Sequence, residues 1–394
     1  MSRLNEMLRE LCPAGVEYVK LGEIGKFYGG LTGKTKDDFT SGNAVFISYK
    51  NVYTNPSVDQ NVKEKVKIAV GEKQRTLEYG DVIFTGSSET PEECGLSSVV
   101  TEKPTEPLYL NSFCFFFRFN DLSAIEPMFA KHLFRSENLR YQIGKTASGV
   151  TRYNVSKKLM EKVSIPLPPL PIQHEIVRIL DAFTSLTAEL TAELTARKRQ
   201  YAYYRDRLLT FGDEVPRVRL GEVCKITRGR VISKDYIEEN KGKYPVYSSQ
   251  TENNGELGRI SSYDHVGEYV TWITDGANAG SVFYRNGRFS VTNVCGLLKI
   301  KSKISAKYVY YTLQIEARKY VNKGMGNPKL MSNVIAKISI PLPPLQEQNR
   351  IASILDRFDA LCNDLTDGLP AEIAARKKQY AYYRDKLLTF ETGE

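Results

Sequence analysis

The chain contains two long segments in which hydrophobic residues recur at steps of three and four. The first stripe consists of Ile172, Ile176, Ile179, Phe183, Leu186, Leu190, Leu194, Tyr201 and Leu208. The second stripe consists of Ile351, Ile354, Phe358, Leu361, Leu365, Ile373, Tyr380 and Leu387. This spacing predicts coiled-coil helices over residues 172–211 and 346–390. Because Gly368 and Pro370 interrupt the second segment, we expect a kink or break there.

Outside these segments the pattern changes to short β-like runs separated by loops. In residues 19–164, the predicted strands are Ala44–Ile47, Val82–Phe84 and Ser112–Phe119, and the predicted helix is Phe129–Asn138. In residues 218–339, the strands are Tyr244–Tyr247, Tyr269–Ile273, Ser281–Tyr284 and Gly296–Ile300, and the helix is Lys307–Val321. We call these regions the first head and the second head. Each is predicted to be α+β with an irregular, partly antiparallel sheet.

A large internal repeat organises the chain. The segment Ile-Pro-Leu-Pro-Pro-Leu at 165–170 recurs at 340–345, and Gln200–Phe211 recurs as Gln379–Phe390 with only Arg207 replaced, by Lys386. Leu-Gly-Glu at 21–23 recurs at 220–222. The predicted divisions are a short N-terminal helix (1–18), the first head (19–164), a central helical spacer (165–217), the second head (218–339) and a C-terminal helical spacer (340–394). Two copies of one scaffold therefore carry two different heads, and the N-terminal helix closes the repeat into a circle.

A tandem tetrapeptide lies in the first helical segment. It consists of Thr187, Ala188, Glu189 and Leu190, followed by Thr191, Ala192, Glu193 and Leu194. Four helical residues add about 6 Å and a net rotation of about 40°. One base pair of B-DNA is about 3.4 Å and about 35°. The net rotation of one tetrapeptide thus nearly matches one base-pair step. If the helices separate two DNA-reading heads, the number of tetrapeptides would set the spacing between the two half-sites and so act as a ruler. The offset between the two copies of the repeat grows from 175 to 179, so we expect the second helix to be four residues longer.

Each helical segment ends in a cluster of aromatic and basic residues. The candidate members are Arg197, Tyr201, Tyr204 and Arg205, with the twins Arg376, Tyr380, Tyr383 and Arg384. One interpretation is a packed tyrosine stripe with a solvated basic face. The other is a docking surface for partner proteins that is used twice, because a purely internal spacer would tolerate more divergence than these clusters show.

Charge and composition narrow the class of protein. Lys and Arg outnumber Asp and Glu by 55 to 46, and this excess weakly favours an anionic partner. No apolar stretch approaches the roughly 20 residues that span a bilayer, and the N-terminus carries charges, so we expect a soluble, cytoplasmic protein. The six cysteines and three histidines are scattered, so neither a zinc site nor a disulfide framework is indicated.

Polar and basic residues in the predicted loops are candidates for DNA contact. Arg and Lys suit guanine, Asn and Gln suit adenine, and hydroxyl groups suit phosphate oxygens. The candidates in the first head are Lys34, Lys36, Ser87, Ser88, Lys145, Thr146, Arg152, Tyr153 and Asn154. Those in the second head are Arg228, Arg230, Lys234, Ser248, Ser249, Gln250, Thr274, Asp275, Asn278, Lys323, Asn327 and Lys329.

Motifs for catalysis do not emerge from the same loops. The stretch Gly29–Thr35 invites a phosphate-loop interpretation, but Tyr28 stands where that pattern needs a glycine. The sequence contains neither a dinucleotide fingerprint in a βαβ context nor a methyltransferase tetrad, and Asp275-Gly276 is typical of a turn. We therefore expect a non-catalytic chain with no metal site.

Taken together, the arrangement resembles the specificity subunits of type I restriction–modification systems, and the tandem Thr-Ala-Glu-Leu resembles their IC branch. The resemblance rests on the two Ile-Pro-Leu-Pro-Pro-Leu segments, the twin Gln-Tyr-Ala-Tyr-Tyr exits, the paired Leu-Gly-Glu starts and the segments 244–250 and 267–276. It implies an α+β fold in which two long antiparallel coiled-coil helices separate two target recognition domains, with a pseudo-twofold internal repeat.

The resemblance also implies a function and a set of partners. Each head would read one half of a bipartite, asymmetric site on double-stranded DNA. The helices would set the unread spacer and recruit two methyltransferase subunits, and restriction subunits would join through the complex. The assembly would be an adenine-N6 DNA methyltransferase and ATP-dependent endonuclease. S-adenosylmethionine, ATP and Mg would then belong to the partners, with no cofactor on this chain.

Two other classes of function stay open at this level. One is a non-enzymatic coiled-coil scaffold that joins two protein-binding heads. The other is an enzyme, such as a nucleotide hydrolase that uses Lys34. Sequence-selective DNA binding with a steep salt dependence would separate the first alternative from a DNA-specificity subunit.

Overall fold

The computed structural model describes residues 2–301, 303–324, 326–364 and 366–390. Leu365 of the predicted second stripe lies outside these described residues. The chain forms two compact units. The first unit comprises the residues up to Leu190 together with those from Ile373 onward, and the second comprises Thr191–Glu372.

Helices occur in both units, and two of them cross from one unit into the other along the chain. They are α1 (Ser2–Leu11), α2 (Leu21–Ile24), α3 (Tyr49–Thr54), α4 (Pro127–Leu133), α5 (Glu137–Gly144), α6 (Lys157–Met160), α7 (Leu170–Leu208), α8 (Leu220–Val223), α9 (Lys234–Glu239), α10 (Ala306–Glu316), α11 (Ser332–Ile335), α12 (Leu345–Asn363) and α13 (Leu369–Leu387). Short 3₁₀ turns lie at Lys36–Phe39, Leu122–Ala124, Glu252–Gly255 and Ala317–Tyr320. The segment predicted as one helix over 129–138 is divided between α4 and α5.

The strands of the first unit form four small sheets. They are β1 (Tyr18–Lys20), β2 (Gly25–Gly29), β3 (Ala44–Ile47), β4 (Lys65–Val66), β5 (Val82–Thr85), β6 (Ser87–Ser88), β7 (Ser97–Val99), β8 (Leu108–Leu110), β9 (Cys114–Phe119), β10 (Ala147–Ser148), β11 (Tyr153–Val155) and β12 (Ser164–Pro166). An antiparallel sheet has the order β2-β9-β5-β7, and a second has the order β4-β3-β8 with β3 and β8 parallel. The remaining sheets are β10-β11-β6 and the pair β1-β12.

The strands of the second unit repeat much of this plan. They are β13 (Arg217–Arg219), β14 (Cys224–Arg228), β15 (Lys241–Tyr247), β16 (Glu256–Ile260), β17 (His265–Val266), β18 (Tyr269–Ile273), β19 (Val282–Arg285), β20 (Arg288–Val291), β21 (Cys295–Ile300) and β22 (Ser339–Pro341). The antiparallel sheet β14-β21-β18-β19 matches β2-β9-β5-β7 strand for strand. The second sheet, β16-β15-β20-β17, has one strand more than its counterpart.

A short antiparallel strand pair joins the entry and the exit of each head. Val19 of β1 faces Ile165 of β12, and Val218 of β13 faces Ile340 of β22. The two isoleucines begin the repeated Ile-Pro-Leu-Pro-Pro-Leu segments, and both are fully buried. The sequence repeat is thus also a repeat of the fold.

The central strand of the first head is buried on both faces, which explains its continuous apolar run. Successive side chains of β9 point to opposite faces of the sheet. Phe117 belongs to the hydrophobic cluster that contains Phe129 of α4, whereas Phe116 belongs to the cluster that contains Ile47 of β3. One strand therefore supplies both hydrophobic layers of the head.

The second head is built around a buried tryptophan. Trp272 of β18 is fully buried, and its indole N–H donates to the carbonyl of Leu330 at 2.9 Å. Gly296 lies opposite on β21, where a Cβ would stand 2.1 Å from the indole ring. Only glycine leaves room for the ring at that position.

The long helix α7 contacts a different antiparallel partner in each unit. In the first unit, Phe183 of α7 stacks on Tyr383 of α13 with ring centroids 5.2 Å apart. In the second unit, Tyr204 of α7 stacks on Phe358 of α12 at 5.7 Å. The predicted stripe residues therefore form helix–helix contacts. At 1.5 Å per residue, the 39 residues of α7 span about 58 Å.

The second helical segment is broken, as Gly368 and Pro370 predicted. Helix α12 ends at Asn363 and α13 begins at Leu369. A Cβ at Gly368 would lie 2.6 Å from the carbonyl oxygens of Ala360 and Asp364. The expectation of a longer second helix is wrong: two 19-residue helices oppose the 39 residues of α7. The additional residues of this segment enter the break and do not lengthen the helix.

The N-terminal helix packs beside the end of α13 in the first unit. Leu4 of α1 is buried in the same cluster as Leu387 and Leu388, and the hydroxyl of Tyr18 donates to the carbonyl of Phe390 at 3.2 Å. Within the described part of the chain, none of the helices combines the length and apolarity needed to cross a membrane.

Candidate nucleic-acid interface

A short hairpin lies at the same edge of both heads. In the first head, β10 and β11 form a hairpin over residues 147–155, and Asn154 of β11 faces Ser87 of β6. In the second head, Asn322 faces Lys329 and Lys329 faces Asp275, in antiparallel bridges that bring residues 322–324 and 326–329 together. We call residues 147–155 of the first head, and residues 322–324 with 326–329 of the second head, the edge hairpins.

The edge hairpins occupy equivalent positions although their sequences differ. Ser87 comes two residues after Thr85, which faces Cys114 across the main sheet of the first head. Asp275 comes two residues after Ile273, which faces Cys295 across the main sheet of the second head. The pairing therefore makes Ser87 equivalent to Asp275, and Asn154 equivalent to Lys329. Residues of different chemistry thus stand at matched positions of two heads.

The tip of each edge hairpin is exposed. In the first head, Val150 is 91% exposed and Arg152 is exposed beside it. In the second head, Lys323 and Asn327 are exposed. Gly149 and Gly326 have positive φ angles of 152° and 121°, a region that favours glycine. The described residues at both tips therefore present side chains outward.

A group of charged residues surrounds the second edge hairpin. The guanidinium of Arg228 donates to Thr274 Oγ1 at 2.7 Å and to Asp275 Oδ2 at 3.1 Å. Lys329 Nζ lies 4.0 Å from Asp275 Oδ1, and Arg230 pairs with Asp264 at 3.0 Å. Since these pairs are half-exposed, Asp275 orients two cations that retain further N–H donors toward solvent.

A polar loop of the second head lies beside this group. Asn278 donates from Nδ2 to the carbonyl of Ser249 at 3.2 Å, and the hydroxyl groups of Ser248 and Thr292 lie 2.9 Å apart. Gln250 donates to the carbonyl of Glu256. The structure thus brings together segments 248–250 and 274–278, which the sequence presented as separate candidates. Lys234 is exposed at the start of α9 and makes no part of these contacts.

The first head brings together fewer candidates. Arg152 donates from Nε to Ser87 Oγ at 3.0 Å, and Asn154 is exposed on the neighbouring strand. Tyr153 is half-buried, and its carbonyl accepts from the thiol of Cys94. Lys145 lies with its ammonium 4.1 Å from the ring centroid of Tyr141. The cations among the candidates on or next to this hairpin are Arg152 and Lys145.

Four hydroxyl candidates need correction because their side chains face the protein. Thr146 is 5% exposed and donates to the carbonyl of Ile143, and Thr274 is fully buried and donates to the carbonyl of Val294. Ser87 and Ser88 are 7% and 9% exposed. These groups support the loops from within. Sequence alone marked them only as polar and could not show burial.

Lys34 also needs correction as a phosphate-binding candidate. Its side chain is 8% exposed, its ammonium lies 2.6 Å from Glu72, and it donates to the carbonyl of Lys67. The hydrogen bond from Lys34 lowers the pKa of Glu72 to about 2. Lys34 therefore forms an ion pair with Glu72 inside the protein, in place of the predicted contact with a phosphate. Lys36 is exposed in the following 3₁₀ turn.

The four tyrosines proposed as docking residues all make contacts within the chain, and Tyr204 is nevertheless 38% exposed. Tyr204 and Tyr383 stack on the partner helices described above, and the hydroxyl of Tyr201 donates to Gln314 at 3.3 Å. The hydroxyl of Tyr380 lies 2.8 Å from His132 Nδ1. The four arginines contact neighbours on their own helices: Arg197 contacts Gln200, Arg205 contacts Asp206, Arg376 contacts Gln379, and Arg384 contacts Asp385.

Two other tyrosines of the same repeats are exposed. Tyr203 and Tyr382 occupy matched positions and are 59% and 60% exposed. Each packs edge-on against the next tyrosine, with interplanar angles of 74° and 76°. The sequence could not rank the exposure of these side chains, because the three tyrosines at each helical end (201, 203 and 204, and 380, 382 and 383) lie within about one helical turn.

The tandem tetrapeptide lies within the unbroken helix α7. Thr187 donates from its hydroxyl to the carbonyl of Phe183 at 2.8 Å, and Thr195 donates to Thr191 at 2.9 Å. The boundary between the two compact units falls between Leu190 and Thr191, at the junction of the two tetrapeptides. The continuity of the helix is the geometric condition for the proposed ruler.

Comparison with known proteins identifies the class. Residues 13–197 and 213–375 each match the family model of the type I restriction modification DNA specificity domain. The chain therefore belongs to this family, with one domain in each copy of its repeat. Members of this family are specificity subunits and not enzymes. Among the described residues, no three His, Cys, Asp or Glu side chains are grouped so that they could hold a metal ion.

Individual relatives agree with the family assignment. The chain is 48% identical over 235 residues to a putative type I specificity subunit, S.MpnORF615P of Mycoplasma pneumoniae, in an alignment that covers 57% of this chain and 92% of the relative. It is 37% identical over 272 residues to the Type I restriction enzyme EcoR124I/EcoR124II specificity subunit of Escherichia coli. That alignment covers 61% of this chain and 66% of the relative.

Solved structures show the same fold. The S subunit of a type I restriction-modification system from M. genitalium aligns with a TM-score of 0.57 at 14% identity, over 95% of this chain and 96% of the other. The HsdS subunit from Thermoanaerobacter tengcongensis aligns with a TM-score of 0.51 at 22% identity, over 96% and 97%. The predicted α+β architecture with two recognition domains is thereby confirmed.

Proposed function

We propose that this chain is the sequence-specific DNA-binding subunit of a type I restriction–modification complex, and that each head reads one half of a bipartite, asymmetric site. One observation carries this proposal: the two edge hairpins stand at the same position of the same sheet but present different side chains. A shared frame with different contacts is what two unlike half-sites require. The family assignment supports the role and does not favour a protein-binding scaffold.

The side chains of the second head suit both phosphates and base edges. Arg228, Lys329 and Lys323 carry N–H donors that match guanine or phosphate oxygens, and Asn327 and Asn278 match adenine. Asp275 orients Arg228 and Lys329 before DNA arrives. We expect phosphate contacts to give affinity and the hairpin tip to give base selectivity.

The first head offers a smaller set of donors. Arg152 and Asn154 lie on its edge hairpin, and Lys145 lies just before it. The apolar Val150 at the tip suits contact with a thymine methyl group. The two half-sites should therefore differ in sequence, as the diverged heads imply.

The partners follow from the twin ends of the helical segments. Two nearly identical clusters, which expose Tyr203 and Tyr382 at matched positions, suit two copies of one partner, and we assign them to two methyltransferase subunits. Restriction subunits join through that complex. S-adenosylmethionine, ATP and Mg belong to those partners, and the complex acts in the cytoplasm.

Reconstitution with the cognate methyltransferase tests the proposal. Methylation of genomic DNA followed by mapping of modified adenines should reveal one bipartite motif with two unlike halves. Binding to a duplex with that motif should exceed binding to a scrambled duplex by at least about a thousandfold. Affinity for both should fall steeply with salt. Equal affinity for the two duplexes would contradict the proposal and would revive the scaffold alternative.

A further inference from the structure

Each long helical segment places the same two polar residues against its head. They are Gln173 and Asp181 in α7, and Gln348 and Asp356 in α12. Both pairs are eight residues apart, which corresponds to about 12 Å along a helix. Gln173 is fully buried and Gln348 is 2% exposed. Buried polar groups in folded proteins are nearly always hydrogen-bonded, and both glutamines follow this rule.

The glutamine of each pair holds the start of a helix that belongs to the head. Gln173 accepts the backbone N–H of Glu126 at 2.9 Å and donates to the carbonyl of Pro168 at 2.7 Å. Gln348 accepts the backbone N–H of Ser305 at 3.0 Å and donates to the carbonyl of Pro343 at 2.8 Å. Glu126 and Ser305 are the N-cap residues of α4 and α10. The same contact therefore occurs in both units.

The aspartate of the first unit holds the same helix further along. Asp181 Oδ1 lies 2.8 Å from His132 Nε2 and 2.8 Å from Lys131 Nζ. The other ring nitrogen, Nδ1, lies 2.8 Å from the hydroxyl of Tyr380. Burial lowers the pKa of His132, which favours the neutral ring. In that form Tyr380 donates to Nδ1 and Nε2–H donates to Asp181, which links α4 to both α7 and α13.

The aspartate of the second unit makes the equivalent contact with different partners. The hydroxyl of Tyr311 donates to Asp356 Oδ1 at 2.7 Å, and Lys307 lies 2.5 Å from Asp356 Oδ2. Tyr311 follows Ser305 by six residues, as His132 follows Glu126, so the two side chains occupy one position of the repeat. Each head keeps the contact and changes the residue that makes it.

Two contacts separated along a helix restrain a head more than one contact does. A single contact permits rotation about itself, whereas a second contact about 12 Å away prevents both swivelling and sliding. We propose that Gln173 with Asp181, and Gln348 with Asp356, are positioning residues that fix the orientation of each head on its helix. The complex would thereby discriminate sharply between targets whose two half-sites are separated by different numbers of base pairs.

This inference rests on the proposed function, and matched variants test it. The variants are Asp181→Ala and Asp356→Ala. Their controls are Arg178→Ala and Arg350→Ala, which remove exposed arginines from the same helical segments, each paired with a glutamate three residues earlier. Each chain is assembled with its methyltransferase. Methylation rates are then measured on duplexes with constant half-sites and a spacer of native length, or one base pair shorter or longer.

We expect the aspartate variants to reduce the preference for the native spacer by about tenfold, the scale of one lost charge-assisted hydrogen bond. The penalty for a base change inside either half-site should stay within about twofold, and both controls should behave as the wild type. A spacer preference equal to that of the wild type would overturn the proposal. An equal loss of spacer and half-site selectivity would also overturn it, because that result indicates general damage.

Milder variants keep the test decisive if the alanine variants fail to assemble. Tyr311→Phe removes only the hydroxyl that donates to Asp356, and Asp181→Asn removes only the charge. The outcome is again decided by the methylation rate on the native spacer divided by the rate on an altered spacer. We expect this preference to fall by about threefold, less than in the alanine variants. Absence of sequence-selective methylation by the wild-type complex would instead refute the proposed function, so the two failures are distinguishable.

Discussion

The helical segments and the heads of this chain have diverged to very different extents. Between Gln200–Phe211 and Gln379–Phe390 a single residue differs, whereas the heads share their main sheet order but few residues along it. Both copies of the repeat fold within one chain, and the heads fold despite their divergence. Stability alone therefore does not explain why the helical ends have diverged so little. Nearly identical helical ends suit the proposed two copies of one partner, and different heads suit two different stretches of DNA. Divergence within the repeat therefore separates the part that assembles from the part that reads.

Exchange of a head tests this contrast with the largest expected effect. Replacement of residues 19–164 by the corresponding head of a relative should replace one half-site completely and leave the other half-site and the spacer intact. The strand pair β1-β12 joins the ends of the head, so the exchange preserves its entry and exit. Mapping of modified adenines measures the result. Simultaneous change of both half-sites would contradict independent reading.

Substitution of the exposed tyrosines tests whether the nearly identical helical ends bind the methyltransferase. Tyr203→Ala and Tyr382→Ala should each weaken binding of the methyltransferase by about 1–2 kcal/mol, and by similar amounts, because the two sites match. Titration calorimetry with the methyltransferase measures the affinity. Tyr263→Ala provides the control, since Tyr263 is 39% exposed and lies in the second head. Unchanged affinity in both variants would remove these residues from the interface.

A pH titration separates the two units through His132 and its counterpart Tyr311. Burial lowers the pKa of His132 below its ordinary value of 6.5. Below pH 6.5 the unfolded chain therefore binds a proton that the folded chain resists, and the free energy of unfolding falls as the pH drops. The slope reaches at most about 1.4 kcal/mol per pH unit. Urea unfolding at several pH values between 7.5 and 5.5 measures this free energy, and its dependence on pH should be weaker in His132→Asn than in the wild type.

The second unit supplies the control for that titration. Burial also lowers the pKa of His265, and Trp272 is the single tryptophan of the chain and lies in the second unit. His132→Asn should therefore leave the pH dependence of the tryptophan transition unchanged, whereas His265→Asn should reduce it. Equal slopes for the wild type and His132→Asn would show that the histidine is not coupled to folding of the first unit.

The smallest effect is expected at Lys34. Because its ammonium is committed to Glu72, Lys34→Ala should lower the stability of the first head and leave the DNA contacts intact. Methylation and restriction by the assembled complex should remain within about twofold of the wild type. Loss of activity without loss of stability would support the nucleotide-hydrolase alternative.

Periodicity and repetition predicted most of the architecture. The stripe from Ile172 to Leu208 gave helix α7 to within a few residues, and Gly368 and Pro370 located the break. Both signals are local, so neighbouring residues suffice to determine them. The heads were predicted less completely, because strands as short as β6 and β10 leave no readable alternation.

Contacts between distant residues could not be predicted. Asp181 meets His132 across 49 positions, and His132 meets Tyr380 across 248. Likewise, Lys34 has the residue type of a phosphate ligand, and only the fold shows that Glu72 neutralises it. The candidate DNA interface was therefore predicted as a set of residue types, and the structure decides which of them face solvent.

Insertion of a third Thr-Ala-Glu-Leu unit after Leu194 tests the central claim most directly. Four more helical residues should add a net rotation of about 40°, close to the roughly 35° of one base pair, which favours a spacer longer by about one base pair. Mapping modified adenines in a genome exposed to the altered complex should show both half-sites unchanged and their separation increased by that step. The same separation as in the wild type would show that the unbroken helix does not measure the distance along DNA.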